Sequence, residues 1–272
     1  MSEIDDIFNS TETLYHFTKT QTAYEYILHT NKLKFSGGKM SNDPIENNVN
    51  LNLGKSFFGY KDTKRADNEI SDKASDYIKE KIKNLKQVCF CKNNKDPKFA
   101  REMVVPDEYY GFLKPRMWDQ YGDKYNGVCL VFDKSKLKKN NYKKHSGDVN
   151  YIGYDDLVQN NYDIDLNILY ESGLEKYCND NLERIRKNSF LKHKDYAGEN
   201  EYRFISFSKT EDYLEIGDSL KAIIISKKEL SDFSQQWFSE FTEKNKVKLF
   251  YINWDREGFC IENKKDYDDL SF

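Results

Sequence analysis

Proline, tryptophan and one-sided charge are all scarce in this chain of 272 residues. Four prolines and 13 glycines do not gather into a linker, and no internal repeat is seen, so the composition gives no reason to divide the chain. No stretch approaches the ~18 consecutive apolar residues that a membrane-spanning helix requires. The opening MSEIDDIFNSTETLYHF is acidic and lacks the basic-then-apolar plan of a signal peptide. Lys and Arg (43) nearly balance Asp and Glu (46), and the net charge of -3 gives no general pull toward nucleic acid or an anionic membrane. The phosphate-cradling G-x-x-x-x-G-K and the G-x-G-x-x-G, H-E-x-x-H and G-x-S-x-G motifs are absent, which excludes the common forms of the chemistries they serve. Cysteine is sparse and odd in number. Cys89, Cys91, Cys129, Cys178 and Cys260 lie mostly in apolar runs without a C-x₂₋₄-C knuckle. That is the usage of reduced, buried thiols in a cytoplasmic protein, not of a zinc site or a reactive thiolate.

What the chain does hold is aromatic surface. Twenty Tyr and 18 Phe can build a sizeable core despite a mean hydropathy of -0.88, and buried tyrosines leave hydroxyls that need partners. Residues 13–17 read as a strand, 22–30 as a helix with Ala23, Ile27 and Leu28 inward, and 32–36 as a returning strand. An amphipathic helix is expected over 68–85, a strand over 87–92 and a long connection over 93–110. GVCLVF at 127–132 predicts a central buried strand, and the lysines from Lys134 to Lys144 a basic polar turn. Further strands are expected at 149–154, 201–208, 221–225 and, as a hairpin, 247–252 with 258–262. Helices are expected over 168–187 and after a capping box at Ser226 and Glu229, the latter with Leu230, Phe233, Trp237 and Phe241 inward. Without regular βαβ alternation, the order points to one α+β domain. Its central sheet should be mixed and largely antiparallel, flanked by helices, with the segment 209–272 completing it.

Two places combine reactive side chains with defined elements. His16, at the end of the first strand, can offer a ring nitrogen to a ligand while Thr18 or Thr20 caps the following helix. The structural alternative is a ring satisfied by nearby backbone. Glu199 and Glu201 are two residues apart and share a face if the strand runs through both. One carboxyl should then titrate high unless a cation such as Arg203 intervenes, and a Glu–Arg network at the sheet edge is the structural alternative. Trp118, Tyr121 and Tyr125 fall at i, i+3 and i+7, a stripe that serves either a core or a stacking platform.

The series of motifs resembles the bacterial domain of unknown function 2971. It begins with Leu14-Tyr15-His16-Phe17-Thr18, the strand ending in Ser36 and Asn42-Asp43-Pro44-Ile45-Glu46. It continues through Cys89-Phe90-Cys91, where the family has Cys-Phe-Ser, then Met117-Trp118, Tyr121 and Gly127 to Phe132. It closes on Lys192, Tyr196 in place of a family Trp, Glu199, Glu201, Tyr202 and Arg203. The family-like core covers about 14–208. A more distant resemblance, to ADP-ribosyltransferases, implies an NAD-consuming enzyme of that fold, a toxin or anti-phage effector with a nucleic-acid or protein acceptor. It implies that His16 holds the nicotinamide-side ribose, that Tyr121 or Tyr125 stacks on nicotinamide, and that Glu201, beside Glu199, steadies the oxocarbenium-like transition state. Tyr15, Thr18, Ser36, Trp118 and Arg203 complete the expected cofactor-binding set.

Two other classes stay open: a nucleotide- or nucleic-acid-binding module without catalysis, and a nuclease holding magnesium on Asp43, Glu46, Glu199 and Glu201. The enzyme reading needs the strands of His16 and Glu201 side by side, with both side chains in one cleft. Side chains on opposite sides of the sheet, or either one walled off from solvent, would end the enzyme reading.

Overall fold

The computed structural model describes residues 7–37, 55–56, 68–94, 109–158, 162–226, 230–255 and 258–263. Along the chain the strands are β1 (Thr13–Thr18), β2 (Lys32–Lys34), β3 (Ser36–Gly37), β4 (Lys55–Ser56) and β5 (Lys86–Lys92). Then come β6 (Val128–Asp133), β7 (His145–Asp148), β8 (Asn150–Ile152), β9 (Ile164–Asp165) and β10 (Leu191–His193). The last are β11 (Glu201–Ser206), β12 (Tyr213–Glu215), β13 (Leu220–Ser226), β14 (Lys248–Asp255) and β15 (Gly258–Asn263). The central sheet has the order β15-β14-β13-β6-β1-β5-β11-β7, and β3 also pairs with β5. Every neighbouring pair in it is antiparallel except β13–β14, which is parallel. A parallel pair needs a crossover, and the helix Asp232–Asn245 supplies it. The expected α+β architecture is found.

The innermost strands are apolar on both sides. β6 and β13 bury Val128 through Phe132 and Ala222 through Ile225 completely. Alternation sends Leu14, Phe90, Leu130, Phe132 and Phe204 into one core, and Tyr15, Phe17, Cys91, Cys129 and Val131 into the other. The first core is covered by the helical segment after β1 and by Asp232–Asn245. The second is covered by Phe112, Leu113 and Trp118. A third cluster joins the amphipathic helix Asn68–Asn84 to Leu174–Asn188 through Ala74, Ile78, Tyr177 and Ile185.

Several local expectations are corrected. The helix expected at 168–187 is two, Leu166–Ser172 and Leu174–Asn188, broken at Gly173, whose φ of 78° favours glycine. The lysine-rich run begins as a helix, Lys134–Asn140, because the Asp133 carboxylate caps it by accepting from the Lys136 N–H at 3.0 Å. Residues 145–148 form a strand, and the strand expected at 149–154 is confined to β8. The capping box fails: Ser226 ends β13, Glu229 lies outside the described residues, and Ser231 caps the helix. Phe233 consequently points outward, 72 % exposed, while Phe238 is buried. Most of the connection at 93–110, and Asn42 to Glu46, lie outside the described residues.

Phe132→Ala should cost about 3–5 kcal/mol in urea denaturation, whereas Phe233→Ser should stay within about 0.5 kcal/mol of the parent.

Candidate functional site

The strands that carry His16 and Glu201 are not neighbours, because β5 lies between them. Tyr15 pairs with Cys91 and Cys91 with Glu201, so these three form one row across the sheet. His16 is one residue beyond that row, and its side chain belongs to the opposite face, with its ring 5.5 Å from Phe90. The expected adjacency is thus wrong, since nothing local in either sequence sets strand order.

The sheet is not unbroken there, however. β1 pairs with β5 only at Leu14 and Tyr15, although its pairing with β6 continues through Thr18. Two residues back along β5 from Cys89, Gln87 is taken by Ser36 of β3. Between those pairings the contact at Cys89 comes from a side chain: His16 Nδ1 lies 2.9 Å from the Cys89 carbonyl oxygen. The imidazole stands where a backbone donor would stand in a continued ladder. A cavity of about 790 Å³ passes through this split and is lined from both faces, by His16 and Thr18 and also by Tyr121, Lys192, Glu199 and Glu201. The volume suits a small molecule.

Because a carbonyl can only accept, His16 carries its proton on Nδ1, and Nε2 is an acceptor. Burial pushes its pKa below the ordinary 6.5, opposed by the Cys89 hydrogen bond, so the ring is neutral at pH 7. Neither Thr18 nor Thr20 caps the next helix by its side chain. Its cap position is Lys19, and the Thr20 hydroxyl donates to the Asn126 carbonyl at 2.5 Å. After one helical turn the chain widens into a π-helix, Ala23–Leu28, a form that frequently marks functional sites. Tyr26 from it and Tyr213 of β12, both exposed, border the outer part of the cavity with Lys32 and Lys34.

The inner part is a buried charge cluster. Glu199 ends a 3₁₀ helix, Lys194–Glu199, rather than lying on the strand, and Asn200 in the left-handed region (φ 45°) turns the chain into β11. Both carboxylates converge on Lys192 of β10, whose ammonium donates to Glu199 Oε2 at 2.7 Å and lies 3.4 Å from Glu201 Oε2. Arg203 Nη2 donates to the same Glu201 oxygen at 2.7 Å, and its Nη1 to the Ser189 carbonyl at 3.0 Å. Arg116 reaches Glu199 Oε1 at 3.4 Å. Burial raises both carboxyls. At Glu199 it wins over Lys192, and the pKa stays above the ordinary value. At Glu201 the burial effect is overcome by Arg203 and Lys192, and the pKa falls below it. Arg203 is thereby a structural partner of Glu201, 2 % exposed, and not part of the cavity wall.

The aromatic stripe is corrected. The helix Pro115–Gln120 ends before Tyr121, and Asp123, Lys124 and Tyr125 all have positive φ (50°, 54° and 71°). Three successive non-glycine residues there are strained, and the turn closes on Gly127, where a Cβ would strike the Thr18 carbonyl. Tyr125 consequently lies flat over Trp118 at 6.4 Å, outside the cavity lining. Trp118 is fully buried and donates from Nε1 to the Phe112 carbonyl at 2.7 Å, so it is core. Tyr15 contributes only buried wall. Thr18, Ser36 and Tyr121 line the cavity, and burial pushes the Tyr121 hydroxyl up to about 12. Lys192, Arg116 and Cys89 were not among the expected site residues, although Lys192 and Cys89 fall within the family-like motifs.

Among the described residues no group of three or more His, Cys, Asp or Glu could hold a metal ion. Asp43 and Glu46 lie outside them. Cys91 and Cys129 are buried, and burial lifts the Cys91 thiol to about 12, so neither is a reactive thiolate.

Residues 117–204 match a family described as a protein of unknown function, DUF2971. No curated protein and no solved structure matches the chain. The DUF2971 match takes in Tyr121, Lys192, Glu199, Glu201 and Arg203 and leaves His16 outside, so it covers the inner half of the cleft. Nothing in these comparisons is an ADP-ribosyltransferase. Among the described residues no helix is long and apolar enough to cross a membrane.

Lys192→Met should lower stability by about 3–5 kcal/mol in urea denaturation, because two buried carboxylates lose their shared cation. His16 has a lowered pKa in the folded state, so its contribution is present above about 6.5 and is lost as the pH falls through the folded value. Between pH 7.5 and 5.5 the melting temperature of the parent should fall further than that of His16→Gln, as followed by circular dichroism.

Proposed function

We propose that the split between β1 and β5 is a nucleotide site and that the chain is an NAD-consuming, ADP-ribosyltransferase-like enzyme. The observation that carries this reading is a single cavity lined at once by the His16 imidazole, the Tyr121 hydroxyl and the Lys192–Glu199–Glu201 cluster. When the bond between nicotinamide and ribose breaks, positive charge develops on the ribose. A fixed carboxylate in a water-poor cleft favours that charge far more than it would in bulk water. Glu201 is ionised and held in place by Arg203, and Glu199 stands beside it across the same ammonium. Lys192 and Arg203 also weaken the negative potential of Glu201, and this favours a second reading: a nucleotide-binding module that performs no chemistry.

The two readings part in one experiment, in which NAD is titrated calorimetrically and free nicotinamide is followed by chromatography. The enzyme reading expects saturable binding, with nicotinamide release that drops by roughly 10²–10³ in Glu201→Gln. Binding without release supports the module. Release unchanged by Glu201→Gln removes the carboxylate from the mechanism, and absence of NAD binding ends the enzyme reading.

A further inference from the structure

Glu199 lines the cavity, and a cation that does not line it meets the same carboxylate from outside. This is Arg116, in the first turn of the helix Pro115–Gln120, 3.4 Å from Glu199 Oε1 and 44 % exposed. Its guanidinium lies 4.5 Å from the centre of the Tyr196 ring and forms no hydrogen bond with a described residue. Lys192 lies over the same ring at 4.8 Å and holds the other Glu199 oxygen at 2.7 Å, so Glu199 keeps a buried partner whatever Arg116 does. Lys192 and Arg203 balance Glu199 and Glu201 in charge. The charge of Arg116 is left over, and it is the one in contact with water. Asp119, three residues on along the helix, forms no ion pair with it. Lys114 brings a second positive charge, donating to the Gly198 carbonyl at 2.7 Å. The two cations thus end on successive residues of one turn. Ala197 and Gly198 are exposed there, and a Cβ built on Gly198 would meet nothing within 4 Å, so the surface is open.

We propose that Arg116 binds a phosphate group of a molecule that docks outside the cavity, beside Glu199. A guanidinium offers five donors in a flat fork that matches two oxygens of one phosphate at once. The Tyr196 face and Glu199 hold that fork in place before a ligand arrives, which leaves little side-chain freedom to lose on binding. Positive charge from both Arg116 and Lys114 favours a group that carries two negative charges over a carboxylate that carries one. Free nucleotides and nucleic-acid chains share this phosphate chemistry. The inference goes beyond the NAD reading, because it requires no reaction in the cleft.

The test is calorimetry on the full chain at low salt with pyrophosphate, acetate and a single-stranded oligothymidylate. Pyrophosphate should bind saturably and at least about tenfold more tightly than acetate. Arg116→Gln should weaken it by about tenfold, the scale of a lost charge-assisted hydrogen bond, with an unchanged melting temperature. Arg116→Lys keeps the charge without the fork and should lose affinity several-fold. Oligothymidylate that binds more tightly still, and is equally sensitive to Arg116→Gln, assigns the phosphate to a nucleic-acid chain. Binding of pyrophosphate alone assigns it to a free ligand. The proposal is overturned if the parent does not bind pyrophosphate, if acetate binds as tightly, or if either variant binds as the parent does. Nicotinamide release from NAD decides none of these outcomes, so this inference and the enzyme reading fail separately.

Discussion

One hydrogen bond holds the arrangement together: the His16 ring donating to the Cys89 carbonyl across the gap between β1 and β5. Opening a central sheet normally exposes backbone donors and acceptors that must find partners. Here β3 covers part of the β5 edge at Gln87, β1 covers it at Cys91, and the imidazole covers the carbonyl in between. The sheet can therefore part without leaving that carbonyl unsatisfied. The same bond fixes the tautomer of His16 and with it the chemical character of the nitrogen that borders the cavity.

The other side of the cleft rests on ion pairing in a dry place. Lys192, Glu199, Glu201 and Arg203 are each no more than 5 % exposed and form a near-neutral set, two cations against two anions. Such a cluster is costly to bury and costlier to break, so it is weak evidence for stability and better suited to fixing geometry. The break in regular structure at Asn200 is what makes it possible. Were the strand to continue through Glu199, as the sequence pattern suggests, Lys192 would not lie between the two carboxylates at these distances. The opposite directions in which Glu199 and Glu201 titrate follow from the same asymmetry, since Arg203 with Lys192 outweighs burial at Glu201 while burial dominates at Glu199.

The large elements were legible wherever side-chain pattern alone decides them. The buried runs of β6 and β13, the amphipathic helix Asn68–Asn84 and the terminal hairpin follow from local periodicity. Order within the sheet did not, because the placement of β5 between β1 and β11 is set by non-local packing that no window of sequence contains. Breaks carried by one residue, at Gly173 and Asn200, were also missed, since Gly and Asn permit such turns without demanding them. His16, Glu199 and Glu201 stand out in the sequence because they are reactive types next to core strands, and all three line the cavity. Trp118 is the core residue that the aromatic stripe allowed for, whereas Tyr125 leaves the stripe because the helix ends at Gln120 and Asp123 to Tyr125 turn left-handed. Lys192 belongs to the last family-like motif, but its burial between two carboxylates has no local signal, because a lysine in a polar segment is usually solvated.

The central claim is that a ligand occupies the parting of β1 from β5 and is touched from both faces of the sheet. A crystal structure of the protein grown with NAD tests it most directly. The account predicts density between those strands, bounded on one side by His16 and on the other by Tyr121 and the Lys192–Glu199–Glu201 cluster. Density elsewhere on the molecule, or β1 and β5 joined by a continuous ladder through Cys89, would contradict it.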